Sequence, residues 1–167
     1  DGPGSWLFAV RRGGGRRGAN ELKKAILVKV DDCGACHLCE AVCALVKTGE
    51  CNPTKARIQI WRGEMKETPV LCQQCEVMFC AAACPQGAIT RDRESGVVLV
   101  AEERCNGCRS CLAACPYHAV AFDRERKKAL ICDQCGGHPE CVDWCPREAL
   151  VYVELSAAQR AKKAEAS

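Results

Sequence analysis

Apolar residues along this chain fall in short runs broken by turns, never in one long stretch. Ala25-Ile-Leu-Val-Lys-Val30 reads as a strand. Ala88–Thr90 and Val97–Val100 flank a turn through Ser95-Gly96, and Ala119–Phe122 and Ala129–Ile131 flank a charged turn from Asp123 to Lys128. Each pair predicts a hairpin. Residues 154–167 favour helix but show almost no apolar face, which suits either a frayed tail or an arm that docks on a neighbour. No apolar run approaches the roughly 20 residues of a membrane span. A soluble α+β chain of short elements is therefore expected.

Between the apolar runs stand four copies of one cysteine pattern. Motif I is Cys33-x2-Cys36-x2-Cys39-x3-Cys43, followed by Ala44. Motif II is Cys72-x2-Cys75-x4-Cys80-x3-Cys84-Pro85, with two extra residues before its third cysteine. Motif III, Cys105-x2-Cys108-x2-Cys111-x3-Cys115-Pro116, is the undistorted form. Motif IV, Cys132-x2-Cys135-x5-Cys141-x3-Cys145-Pro146, loops out around Gly136, Gly137 and Pro139. The C-x2-C-x2-C-x3-C-P run is the bacterial pattern that holds [4Fe–4S] clusters, its fourth cysteine reaching the other cluster of a pair. Three thiolates in seven residues can wrap one corner of an iron–sulfur cube. A fourth, four residues on, lies a helical turn away. Proline then stops that turn.

Composition weighs the rivals. The 17 cysteines are about a tenth of 167 residues, so cysteine chemistry dominates the fold. Disulfides conflict with the odd count, the tandem spacing and the lack of a secretory apolar segment. Four-cysteine zinc sites use C-x2-C pairs, but zinc leaves the third cysteine and the following proline without a role. The formal charge of +3 counts thiols as neutral. Four oxidised clusters on sixteen thiolates would bring it to about −5, which gives nucleic-acid binding little support. No nucleophile–base pair, phosphate loop or open metal site is legible, so the chain is not expected to be an enzyme by itself.

With its four motifs, the chain resembles the four-cluster, ferredoxin-like electron-transfer subunits of large redox complexes over about residues 22–155. The resemblance implies that motif I pairs with motif IV and motif II with motif III. Carried over, Cys33, Cys36 and Cys39 join Cys145; Cys132, Cys135 and Cys141 join Cys43; Cys72, Cys75 and Cys80 join Cys115; and Cys105, Cys108 and Cys111 join Cys84. The implied fold is α+β, with two ferredoxin-like units of two [4Fe–4S] clusters each, the second inserted within the first. The outer unit takes residues 22–66 and 129–155, the inner unit 67–128, with a Gly/Arg-rich arm at 1–21 and a tail or docking helix at 156–167. Ile26–Val30 and Leu150–Val153 would then pair and close the outer unit.

Two stretches narrow the family. Cys39-Glu-Ala-Val-Cys43 with Asn52-Pro53-Thr-Lys-Ala56-Arg57-Ile58, and the compact Cys132-Asp-Gln-Cys135-Gly-Gly-His-Pro-Glu-Cys141, are similar to subunits accompanying tungsten aldehyde oxidoreductases. The same type serves carbon monoxide dehydrogenase, formate and hydrogenase complexes. The implied role is a cytoplasmic relay of single electrons between a tungsten- or molybdenum-pterin subunit and a second partner, such as a flavin subunit or ferredoxin. A free-standing polyferredoxin shuttle is the alternative from another class.

Other residues carry weaker expectations. Cys51, outside the motifs, is expected to be a small buried hydrophobe. His37 stands between two ligand cysteines, where packing is commoner than proton coupling. Trp144 is expected to shield a cluster, and Trp61 to pack or face a partner. His118 and His138 give no specific signal. Trp6 and Phe8 would anchor the first arm if it docks, which could also serve self-assembly. The acids near motifs I and IV, Asp31, Asp32, Glu40, Asp133, Glu140 and Asp143, predict lower potentials for the outer pair than for the inner.

Overall fold

The computed structural model describes residues 24–63 and 66–155. The expected arm at 1–21 and tail at 156–167 lie outside the described residues. Each motif sits in a loop and short helix between two-stranded ribbons. β1 (Lys24–Val28) leads to α1 (Leu38–Thr48), then the hairpin β2 (Ile58–Arg62) and β3 (Glu67–Leu71). α2 (Phe79–Ala82) is followed by β4 (Ile89–Arg91) and β5 (Val98–Val100), and α3 (Ser110–Ala114) by β6 (Ala121–Asp123) and β7 (Lys128–Leu130). α4 (Glu140–Asp143) and β8 (Leu150–Glu154) complete the order.

The four ribbons are all antiparallel: β1–β8, β2–β3, β4–β5 and β6–β7. The first joins the two ends of the described chain, Lys24 facing Glu154 and Val28 facing Leu150. The expected pairing of first and last strands and both expected hairpins are therefore present. β2–β3 was not among the expected hairpins, and β3 contains Pro69. Proline cannot donate to a ladder, which argues against a strand within a wide sheet. A two-stranded ribbon has only edges, so Pro69 is tolerated opposite Ile60.

Isolated ribbons are marginal in water, so each must bury a face. Ile26, Ala44, Ala56, Ile58, Leu71 and Leu150 form one buried cluster, together with Cys39, Cys43, Cys132 and Cys141. Ile89, Val98, Val120, Ala129 and Ile131 form another with Cys111. Ala25, Val97 and Leu155 pack as a third, small cluster that joins the β1–β8 ribbon to the start of β5. The thiols belong to these cores. Helix α1 packs on α4, and α2 packs on α3.

The tails of the helices follow the sequence closely. In motif III the helix ends at Ala114, and Cys115, held before Pro116, is extended at φ −78°, ψ 112°. In motifs II and IV the helix likewise ends just short of its Cys-Pro pair. Motif I has no proline, so α1 runs on past Cys43 to Thr48 and ends on Gly49 at φ 75°.

Candidate metal centres

The loop before each helix has a shared twist. The residue preceding the second cysteine of every motif is left-handed: Ala35, Gln74, Gly107 and Gln134, at φ 50°, 53°, 74° and 54°. The second residue after each Cys-Pro pair is left-handed too: Gly87, His118 and Glu148. For non-glycine residues this costs of order 1–3 kcal/mol each, and it recurs where a site demands it. Alternating hands turn successive backbone N–H groups into one concavity, the arrangement that cradles anions and iron–sulfur groups. Several of those N–H groups meet sulfur. Ala88 N–H donates to Cys84 Sγ at 3.3 Å and Ala119 N–H to Cys115 Sγ at 3.4 Å, each from the alanine that follows C-P-x-x. Cys43 has no such alanine, and the Arg57 N–H, fourteen residues on, donates to it at 3.3 Å.

Two clefts bring cysteines of different motifs together. One is walled by Cys132, Cys135 and Cys141 of motif IV and by Cys43 of motif I. The other is walled by Cys72, Cys75 and Cys80 of motif II and by Cys115 of motif III. In both, three cysteines of one motif share a cleft with the fourth cysteine of another, Cys43 within α1 and Cys115 just past α3. Cys39 is within electrostatic reach of Cys36 and Cys33, and Cys111 of Cys105 and Cys108. For Cys145 and Cys84, the structure gives the packing of α1 on α4 and of α2 on α3.

Burial makes these thiols reluctant to ionise alone. It pushes Cys39 and Cys132 up to about 12 and Cys111 up to about 11, with neighbouring cysteines adding to the rise. Cys43, Cys72, Cys80 and Cys141 are raised for the same first reason. Cys108, on the surface, is lowered by the Ser110 hydroxyl. A bound cation reverses this penalty, since a coordinating thiol is deprotonated outright. Cradles of N–H groups around buried sulfur therefore fit a cluster whose iron is positive and whose sulfur is negative.

Comparison with known proteins agrees with this chemistry. A family model described as a 4Fe-4S dicluster domain matches residues 64–155, more than half of the chain and all of motifs II, III and IV. The chain belongs to the 4Fe-4S dicluster family. It is 37% identical over 121 residues to the polyferredoxin-like subunit of an aliphatic sulfonate oxidoreductase from Pyrococcus furiosus, covering 72% of this chain and 70% of that one. It is 31% identical over 174 residues to the electron transport protein HydN of Escherichia coli, covering 86% and 98%. It is 36% identical over 125 residues to the beta subunit of NADH-dependent phenylglyoxylate dehydrogenase from Aromatoleum evansii, covering 72% of this chain but 28% of that longer one. Among the described residues no helix is long and apolar enough to cross a membrane.

Within this dicluster fold, several side chains support the loops that sequence patterns did not single out. Gln74 and Gln134 are both 3% exposed. Gln134 donates to the Lys24 carbonyl at 3.2 Å and accepts from the Tyr152 hydroxyl at 3.3 Å, tying motif IV to the β1–β8 ribbon. Arg91 donates to the Cys75 carbonyl, and Lys128 donates to those of Cys105 and Glu102 at 2.6 and 2.7 Å. A glutamine within a C-x-Q-C loop looks like surface, and only the repeat of that tetrapeptide in motifs II and IV could have flagged it.

One expectation is corrected. Cys51 is exposed, because it lies in the loop between α1 and the turn at Pro53–Lys55 and not under a core. Trp144 is 56% exposed at the end of α4. Trp61, 54% exposed, stacks on His118 at 5.7 Å between ring centroids, joining β2 to the segment after motif III. His37 lies between carboxylates, Nδ1 2.7 Å from Glu40 and Nε2 3.3 Å from Glu67.

Proposed function

We propose that the chain is an electron-relay subunit carrying four [4Fe–4S] clusters. Their ligands are Cys33, Cys36, Cys39 and Cys145; Cys132, Cys135, Cys141 and Cys43; Cys72, Cys75, Cys80 and Cys115; and Cys105, Cys108, Cys111 and Cys84. The observation that carries this reading is the pair of clefts, each walled by three thiols of one motif and a fourth from its partner. Two nested ferredoxin-like units, at 22–66 with 129–155 and at 67–128, follow from that pairing. The clusters supply one-electron redox chemistry when bound. The chain holds their thiolates, donates backbone N–H groups to sulfur and excludes water from the buried faces.

The source of electrons is a pterin enzyme of the tungsten aldehyde oxidoreductase type, and a flavin subunit or ferredoxin takes them on, all in the cytoplasm. A second reading has a specific support: the relative at 37% identity is named for an aliphatic sulfonate oxidoreductase, so the partner's substrate would be a sulfonate. Exposed Trp61 and Trp144 favour a subunit over a free shuttle, whose surface would be polar throughout. Anaerobic purification from the native source tests all of this. Equal iron and acid-labile sulfide, with a co-eluting tungsten subunit oxidising aldehydes, is the expected result. Activity on aliphatic sulfonates supports the second reading, and zinc without sulfide overturns both.

A further inference from the structure

The cleft formed by Cys43, Cys132, Cys135 and Cys141 differs from the other in its charge. Lys47, Arg57, Asp133 and Glu140 stand in its wall, whereas no charged side chain lines the cleft of Cys72, Cys75, Cys80 and Cys115. Lys47 Nζ lies 2.9 Å from Asp133 Oδ1, and Arg57 Nη1 lies 2.6 Å from Asp133 Oδ2. One carboxylate therefore serves two cations. Glu140, partly exposed like Lys47, Arg57 and Asp133, is the second acid of the wall.

Arg57 has donor capacity that the protein does not use. Its backbone N–H donates to Cys43 Sγ, and its Nη1 donates to Asp133. Its Nε is buried without an acceptor. Native structures rarely leave a buried donor unmatched, and each group so described calls for an explanation.

We infer that the acceptor for Arg57 Nε–H is the anionic iron–sulfur occupant of this cleft, and that Arg57 is a positioning residue which makes that cluster easier to reduce than the one in the cleft of Cys72, Cys75, Cys80 and Cys115. Reduction adds one electron from an external donor, which is oxidised, and breaks no bond. The added negative charge is stabilised by a hydrogen bond donated from a guanidinium. The other cleft is walled by Met78, Phe79, Val98 and Val120, and Arg91, whose charge reaches Cys80, spends its Nη donors on the carbonyls of Gly96 and Cys75. This reverses the order expected from counting acids along the sequence, because Asp133, counted there as a free charge, is neutralised. The inference rests on reading both clefts as cluster sites.

The test is a dithionite titration of anaerobic holoprotein, followed by electron paramagnetic resonance, with iron and sulfide measured on each sample. In Arg57→Met one signal should move to lower potential, by roughly tenfold in the ratio of reduced to oxidised cluster, or about 59 mV for one electron. The others should stay. Arg57→Lys keeps a cation but lacks Nε–H, and should fall between wild type and Arg57→Met. If Arg57→Met loses iron, Asp133→Asn decides: it leaves both cations unopposed, and the same signal should rise. Unmoved potentials in loaded Arg57 variants, a uniform shift of every signal, or an unmoved or falling signal in Asp133→Asn would overturn the inference. Absence of sulfide from the wild-type protein would instead overturn the reading of the clefts.

Discussion

Gln74 Nε2 donates to the carbonyl of Cys132 at 2.7 Å, across 58 residues of chain, and binds motif II to motif IV. The same amide accepts the Val98 N–H at 2.7 Å. One buried side chain therefore satisfies two backbone groups at the junction of the two cores.

Removing it should be costly. Gln74→Leu keeps the volume but leaves the Cys132 carbonyl and the Val98 N–H unpaired, at about 1–3 kcal/mol for each buried group. The expected outcome is earlier loss of cluster absorbance in urea, with Gln74→Glu recovering the Val98 bond alone. Wild-type resistance in Gln74→Leu would show that water replaces the amide.

The crossed ligation has a counting test. Cys80 and Cys115 wall one cleft, so Cys80→Ala, Cys115→Ala and the double variant should all lose the same four irons. Cys111→Ala with Cys115→Ala should lose two clusters, because those residues are proposed to serve different ones. Distinct sites add, whereas one shared site does not. Iron content with sulfide analysis reads the difference. A Cys80/Cys115 double variant that loses eight irons refutes the crossing.

Gly107 and Gly49 share a left-handed backbone but differ in surroundings. A Cβ on Gly107 would stand 2.5 Å from the Lys127 carbonyl oxygen, while nothing lies within 4 Å of one on Gly49. Alanine at Gly49 should cost only the conformational penalty, about 1–2 kcal/mol. Alanine at Gly107 adds a steric clash, for a total of roughly 2–5 kcal/mol. It should weaken the Cys105–Cys111 loop first. Comparison of the two urea midpoints isolates the steric part, and equal midpoints would mean that the β6–β7 turn yields.

Much of the frame could be read in advance because it is local. Alternating runs separated by turn residues specify β4–β5 and β6–β7, and the Cys-Pro pairs mark where three helices stop. What could not be read depends on the third dimension. β3 contains Pro69, and its tolerance for proline comes from belonging to a two-stranded ribbon. Ala35, Gln74 and Gln134 adopt left-handed backbone with no glycine to announce it. A lone thiol such as Cys51 carries no pattern, so nothing in the chain marks it as exposed. Asp133 looked like one acid among six, and only its contacts with Lys47 and Arg57 give it a different electrostatic weight.

Trp144 supplies the last prediction. A tryptophan with 56% of its surface in water has little role in holding α4, whose end is satisfied by the Trp144 backbone N–H bonded to Glu140. Trp144→Gln should therefore change stability by no more than about 0.5 kcal/mol and leave iron content intact. Large exposed aromatics beside a redox centre are, however, the residues that anchor interfaces, where truncation costs 2 kcal/mol or more. If the ring packs on the catalytic partner, Trp144→Gln should weaken the complex by on the order of 30-fold while the isolated subunit keeps its clusters. Leu45, 50% exposed on α1, is the comparison, since aliphatic residues seldom dominate such contacts. Binding of the holoprotein to its co-purifying partner measures both. Unchanged affinity in Trp144→Gln would move the docking face elsewhere, with Trp61 the next residue to replace.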